Sequence, residues 1–425
     1  MSTRSARIGA IASLVVLGLA IGAGSTLTPP TPATFVAVIA APFLVVLLRR
    51  SPELALALFL FAGSFKSALP LPVDVTLLLA VALLVLAIVS VGRDGVVPTP
   101  VVVWLFVALA AILVAGISYS ANPAYGISKT LRFATLGLIT PIVTLQIIRT
   151  PESVKRLAYS TIVLGLIMSV VAILGGGDPE FAGKYTAFGS DTIALGRAAG
   201  YSFGLTVLLV LWDYRRLIWA VPVAAICLVA LVGSGSRGPL VGLAIGLVVL
   251  FAARLFTRGA MRLGIAIVVA VLCIAVLAST PLLPEASLGK LTRISSDASS
   301  ADPTRVMLAD RAVHMVIERP LTGHGTGGFA AEDTGFEYPH NMVLEAGSEN
   351  GLLAAIIVIA ILGIAAWRAT QNILTAQGPW TEMVMLLFVM ATTNAMVTGD
   401  LNSNRLLFAV VTIAAAQAAR EGDPA

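Results

Sequence analysis

The sequence predicts an all-α polytopic membrane protein of about fourteen transmembrane helices, with one long loop on the extracytoplasmic side. Three observations predict it. Of 425 residues, 58% are hydrophobic and only 12% charged, with a mean hydropathy of +0.97, a composition that excludes a soluble globular chain. The apolar residues fall into runs separated by short polar or Pro/Gly connections, so each run satisfies its backbone groups within its own helix. Basic residues alternate in density from one connection to the next, as the positive-inside rule requires of a multi-span chain.

The expected helices lie at about 8–24, 34–48, 53–69, 75–92, 101–118, 129–148, 157–174, 192–212, 217–233, 238–254, 262–279, 341–366, 381–397 and 402–418. Twelve or thirteen helices are also compatible with the runs, since the second and third are short. With the N-terminus inside, fifteen of the 27 basic residues fall in cytoplasmic connections and seven in outer ones; the other five lie in the long loop, which the rule does not count. Both termini are therefore expected in the cytoplasm. The net charge of +5 is dispersed among loops and forms no run that would suit a nucleic-acid partner. Met1 to Ser25 has the charged start and apolar centre of a signal peptide without a small-x-small cleavage site, and is read as an uncleaved first span. Cys227 and Cys273 fall in different apolar helices and indicate neither a disulfide framework nor a metal cluster.

Residues 1–175 read as transmembrane scaffold, because the first six helices carry few polar interruptions. One exception is Lys129 with Arg132, at i and i+3 on the opening turn of the sixth helix, which share a face. An anchor to lipid headgroups and a substrate role are equally compatible with that pair. The outer connection GGGDPEFAGKYTAFGSDTIALGR holds Lys184, and Arg197 follows about a turn and a half into the eighth helix, where a charge needs a partner or a cavity. GSGSRGP, from Gly233 to Pro239, turns the chain between the ninth and tenth helices and leaves Arg237 at a helix N-terminus. Free N–H groups there attract anions, and an arginine beside them fits phosphate, from a substrate or from a lipid headgroup.

The loop 280–339 is the only sizeable polar segment. Within it Val306, Ala309, Val313, Val316 and Ile317 follow helical spacing and predict an amphipathic helix on the outer surface, ending before Pro320. GHGTGG then fits G-x-G-x-x-G formally, but no strand precedes it, so it reads as a tight turn rather than a dinucleotide site. The stretch Tyr338 to Gly351, YPHNMVLEAGSENG, joins this loop to the next apolar helix. Asn341, Glu345 and Glu349 are spaced by four and stack in one stripe, and buried ionisable groups predict a polar cavity with His340 at its rim. The final outer turn, TGDLNSNR, reads simply as an Asp400–Arg405 ion pair.

Taken together, GSGSRGP, RAVHMVIERPLTGHGTGGF and PHNMVLEAGSENGLL resemble the bacterial O-antigen ligase and O-antigen polymerase superfamily, and cover roughly the C-terminal half, 176–425. That family shows an SRG turn, a P-x-x-G-x-G segment, and an H-N pair followed by nine residues and G-x-x-G. Here nine residues separate Asn341 from Gly351, and Ala354 stands where the family has its last glycine. At His314 the family often has tryptophan, so that histidine is expected to pack rather than ligate.

The resemblance implies a C-type glycosyltransferase-like fold in the plasma (inner) membrane, with an outward active site. It implies transfer of a glycan from a polyprenyl-pyrophosphate-linked oligosaccharide donor to a glycolipid or glycan acceptor, with inversion and with no metal or other cofactor. The side chains suit that chemistry: His340 is the expected base, with Glu349 or Glu345 as orienting partner or substitute base. Arg237, Arg197, Arg311 and Lys184 are the expected pyrophosphate ligands, and Asn341, Gly351 and His324 support them. A transporter of the same lipid-linked sugars is the rival from another class, but no internal repeat is evident. A peptidoglycan polymerase of the shape, elongation and division family is a rival enzyme, whose usual loop aspartate is not matched by the H-N-x9-G pattern.

Overall fold

The computed structural model describes residues 50–65, 74–254, 264, 303–332, 334–376 and 378–421. The helices expected at 8–24, 34–48 and 262–279 lie outside the described residues, as do the leading segment, Lys66, Cys273 and loop residues 280–302.

The described helices are α1 (Pro52–Phe61), α2 (Val75–Asp94), α3 (Val101–Ile117), α4 (Pro123–Arg132), α5 (Ile139–Ile147), α6 (Pro151–Gly175), α7 (Thr192–Trp212), α8 (Leu217–Gly233), α9 (Arg237–Arg254), α10 (Pro303–Glu318), α11 (Met342–Ala376), α12 (Pro379–Val397) and α13 (Arg405–Glu421). A two-residue hairpin, β1 (Gly177–Asp178) with β2 (Lys184–Tyr185), interrupts the α6–α7 connection. Seven of the described helical segments are long and apolar enough to cross a membrane, among them Pro123–Ile147, which joins α4 and α5 through a π turn at Phe133–Gly137. Four shorter apolar helices accompany them.

Each of the eleven expected helices among the described residues is present, and the boundaries move where polar caps rule. The sixth expected helix starts at Pro123 instead of 129, because Asn122 accepts a hydrogen bond from the Tyr125 N–H and Pro123 suits the first turn. The seventh starts at Pro151 instead of 157, where Thr150 and Ser153 form a reciprocal capping box. Both polar first turns precede the apolar run that marks a span in sequence.

The core is built around α7, α12 and α13. Between Leu406 and Ala416 nearly every side chain of α13 is buried, and it packs against α11, α12 and α5. α7 packs on α6, α8, α9 and α12, with Gly204 against Leu386 and Leu243. The connections fall into two groups. Segments around 118–122, 176–191, 234–237, 320–341 and 398–404 meet at one end, linked by contacts such as Ser120 to Thr326 and Asn341 to Met396. At the other end Arg149 donates to the Gly95 carbonyl, Arg156 pairs with Glu53, and Glu382 accepts from both Arg254 and the Trp212 indole. This is the grouping that the charge pattern predicted for the two membrane faces.

The loop helix α10 is present and ends at Glu318, but its expected face is the wrong one. Val306, Val313 and Ile317 are exposed, whereas Leu308, Ala312 and Met315 are buried against Phe329 and Leu344. The helix carries apolar residues on two sides, so spacing alone selects neither.

Candidate functional site

α11 is the element that organises the site. Asn341 caps it, its side-chain oxygen accepting from the Val343 and Leu344 N–H groups at 3.0 Å each, while its amide donates to the Met396 carbonyl. His340, just before the cap, has φ 58°, the left-handed region that a non-glycine residue adopts only where surroundings hold it. Its imidazole sits against the Tyr338 and Phe336 rings, with centroids 4.8 and 5.9 Å away.

α11 is not the continuous helix expected. At Gly351, with φ 78° and ψ 176°, the helix breaks after about two turns and restarts at Leu352, whose N–H donates to the Pro320 carbonyl. A Cβ on Gly351 would lie 2.3 Å from the Leu321 carbonyl oxygen, and one on Gly323 2.4 Å from the Glu349 carbonyl carbon. The GHGTGG turn and the helix break therefore fit into each other through backbone alone. His324 belongs to this turn: its N–H donates to the Ser348 carbonyl, its carbonyl accepts from Ala121, and its ring lies 3.5 Å from Glu318.

The expected Asn341–Glu345–Glu349 stripe faces a cation and not a cavity. Lys129 lies 2.5 Å from Glu345 and 2.6 Å from Glu349, all three side chains being 1% exposed. The Gly327 N–H donates to Glu349 and the Leu401 N–H to Glu345, so one buried cluster ties α4, the glycine turn, α11 and the last hairpin together. Lys129 is thus neither a headgroup anchor nor a cavity residue, and its expected companion Arg132 points to the exposed side.

A cavity of about 340 Å³ opens beside His340, between the end of α1, the start of α7 and the hairpin joining α12 to α13. His340, Tyr338, Asp191, Arg197 and Arg405 are among its polar lining, and Leu60, Phe61, Leu406 and Leu407 among its apolar lining. Arg197 donates to the Thr398 carbonyl at 3.0 Å. Burial raises the pKa of Tyr338, with Asp400 and Glu345 adding to the effect, so its hydroxyl remains a neutral donor.

The other expected ligands lie elsewhere. Arg237 does begin α9, as the SRG turn predicted, and Gly238 beside it packs on Val397 and Thr398. It is absent from the cavity lining. Arg311 is held by Glu332 and Glu318, and the hydrogen bond to Glu332 raises its pKa. Lys184 lies in β2, outside the lining. The Asp400–Arg405 pair does not form: Asp400 accepts from the Ser403 N–H, and Arg405 donates to the Phe59 carbonyl. Arg405, Asp191, Tyr338 and Tyr201 are among the cavity residues that sequence reasoning missed as site residues. Only the position of Asp191, an N-cap next to a helix that carries Arg197, signalled its place.

No curated protein matches the chain. The family model described as O-antigen ligase matches residues 222–359, which hold the SRG turn, the glycine turn and the H-N pair. Across that span, less than half of the chain, the sequence is similar to the O-antigen ligase family that its motifs resemble.

Proposed function

We propose that this protein is a membrane glycosyltransferase that moves a glycan from a polyprenyl diphosphate onto a hydroxyl of a second glycan or glycolipid. The observation that carries the reading is the meeting of His340 and Arg197 in one cavity, at the end of the molecule where the family's motifs converge. In the proposed step His340 takes the proton of the acceptor hydroxyl as its oxygen attacks the anomeric carbon. The bond from that carbon to the diphosphate oxygen breaks on the opposite side, inverting the configuration, and the electron pair leaves with the polyprenyl diphosphate. Arg197 stabilises the charge that develops on this leaving group, as a preorganised guanidinium does for phosphate oxygens.

Glu345 and Glu349 act in this reading through position. Their cluster with Lys129 holds the first turns of α11, and hence Asn341 and His340, against the glycine turn and the last hairpin. Arg311 braces the loop helix through Glu332 and Glu318.

The test is transfer by purified protein in lipid, with a polyprenyl-diphosphate oligosaccharide and excess chelator. A lengthened glycan with donor alone indicates polymerase action; a product only with a second glycolipid indicates a ligase. Full activity in His340→Ala removes the assigned base, and movement of labelled donor across the bilayer without bond formation replaces the reading with transport.

A further inference from the structure

We propose that Arg405 is a second phosphate-binding cation of the cavity, closing with Arg197 on the diphosphate from two walls. The class of anion rests on the function proposed above; the presence of an anion site rests on the geometry.

Arg405 opens α13, is 9% exposed and lines the cavity. One nitrogen, Nη1, donates to the Phe59 carbonyl at 3.0 Å, and the guanidinium stacks 5.1 Å from the centre of the Phe59 ring. Nη2 turns the other way, toward Gly63, where even an added Cβ would stand 3.4 Å off. Gly63 also lines the cavity, so this nitrogen faces open space beside a residue without a side chain. On the opposite wall Arg197 is anchored to Thr398 through Nη2, while its Nε is buried with no hydrogen-bond partner among the described residues.

Neither guanidinium has an ion-pair carboxylate among the described residues. The carboxylates around the two guanidinium groups serve as helix caps: Asp74 and Asp400, whose charges act on Arg405, accept from the Thr76 N–H at 2.7 Å and the Ser403 N–H at 2.9 Å, and Asp191 accepts from the Ala194 N–H at 2.6 Å. Arg405 is buried and Arg197 half-buried, and with neither held in an ion pair an anion entering the cavity gains from both. An anion with several oxygens satisfies both forks at once, and guanidinium geometry matches phosphate oxygens in pairs. The apolar side formed by Leu60, Phe61, Leu406 and Leu407 suits a group attached to that anion. A bland alternative is a staple, with Arg405 only tying α13 to Phe59.

Inorganic pyrophosphate is the probe, titrated calorimetrically into the full chain in nanodiscs of zwitterionic lipid. Arg405→Gln is expected to weaken pyrophosphate at least about tenfold while the ligand-free melting temperature holds, with partial recovery in Arg405→Lys. Gly63→Leu keeps the Phe59 contact but covers Nη2, and is expected to weaken pyrophosphate similarly. This second variant decides the matter where Arg405→Gln fails to fold. Wild-type affinity in Gly63→Leu, or in a folded Arg405→Gln, makes Arg405 a staple and overturns the proposal. The titration is repeated with phosphatidylglycerol in the nanodisc: loss of pyrophosphate binding there assigns the site to a lipid headgroup and overturns the diphosphate. If pyrophosphate binds through Arg405 yet no acceptor supports transfer, the anion site stands and the glycosyltransferase reading falls. If His340→Ala abolishes transfer while Arg405→Gln leaves both pyrophosphate affinity and the donor KM unchanged, the reverse holds.

Discussion

At the scale of single residues, two sites carry different kinds of consequence. In the proposed reaction His340 acts on the substrate; it lines the cavity, and the Asn341 cap follows its left-handed backbone. His340→Ala is expected to lower kcat roughly 10²–10⁴-fold, the usual contribution of a positioned base, with little change in pyrophosphate affinity. Lys129 is placed to hold the fold. Removing it leaves two carboxylates, each 1% exposed, without their cation. Lys129→Met should therefore destabilise by about 3–5 kcal/mol, measured by denaturation in detergent. The triple change K129M, E345Q, E349Q leaves no buried charge, and should recover most of that loss. A triple variant no more stable than Lys129→Met would show that the cluster acts through shape and not through charge. The partner of Lys129 was not legible in the sequence, because the contacts join positions 220 residues apart and the apolar run conceals the polar first turn of α4.

At the scale of elements, the helices themselves were legible and their joints were not. Apolar runs of span length report helix existence directly, and this is why all eleven testable helices appear. A break inside a run is silent in composition: Gly351 was readable as part of a motif, but only its φ of 78° and ψ of 176° reveal that the helix stops there. That conformation is accessible essentially to glycine alone. Gly351→Ala is expected to cost on the order of 3 kcal/mol, since it adds a clash with the Leu321 carbonyl to the strain. Ala354, three residues on, stands where the family has glycine and is fully buried within regular helix. Ala354→Gly should cost only about 1 kcal/mol. Asn341→Ala should likewise cost about 1 kcal/mol through the lost cap, and should also lower transfer, because the cap fixes His340. Equal losses in Gly351→Ala and Ala354→Gly would contradict the fitted joint. The hairpin 398–404 shows the same limit in another form. Its Asp and Arg suggested an ion pair, yet opposite charges close in sequence compete with backbone groups, and here the Ser403 N–H and the Phe59 carbonyl win.

At the scale of the whole molecule, the decisive property is that polar features of distant segments gather at one end. α1 and α4 come from the half that read as scaffold, yet α1 lines the cavity and α4 supplies Lys129. The cavity is therefore assembled across the bundle, and the proposed chemistry requires that this end face outward, as the positive-inside count predicts. Single cysteines test this in a chain whose Cys227 and Cys273 are changed to alanine. Glu180 is exposed on the turn between β1 and β2, at the cavity end, and Thr375 is exposed near the far end of α11. In intact cells a membrane-impermeant maleimide should label Glu180→Cys, and should label Thr375→Cys only after permeabilisation. The opposite pattern would turn the cavity toward the cytoplasm, and a donor displayed on the outer face could not reach His340. Labelling of both positions from outside would break the two-ended arrangement itself, since the Arg254–Glu382 network and the cavity would then share a face.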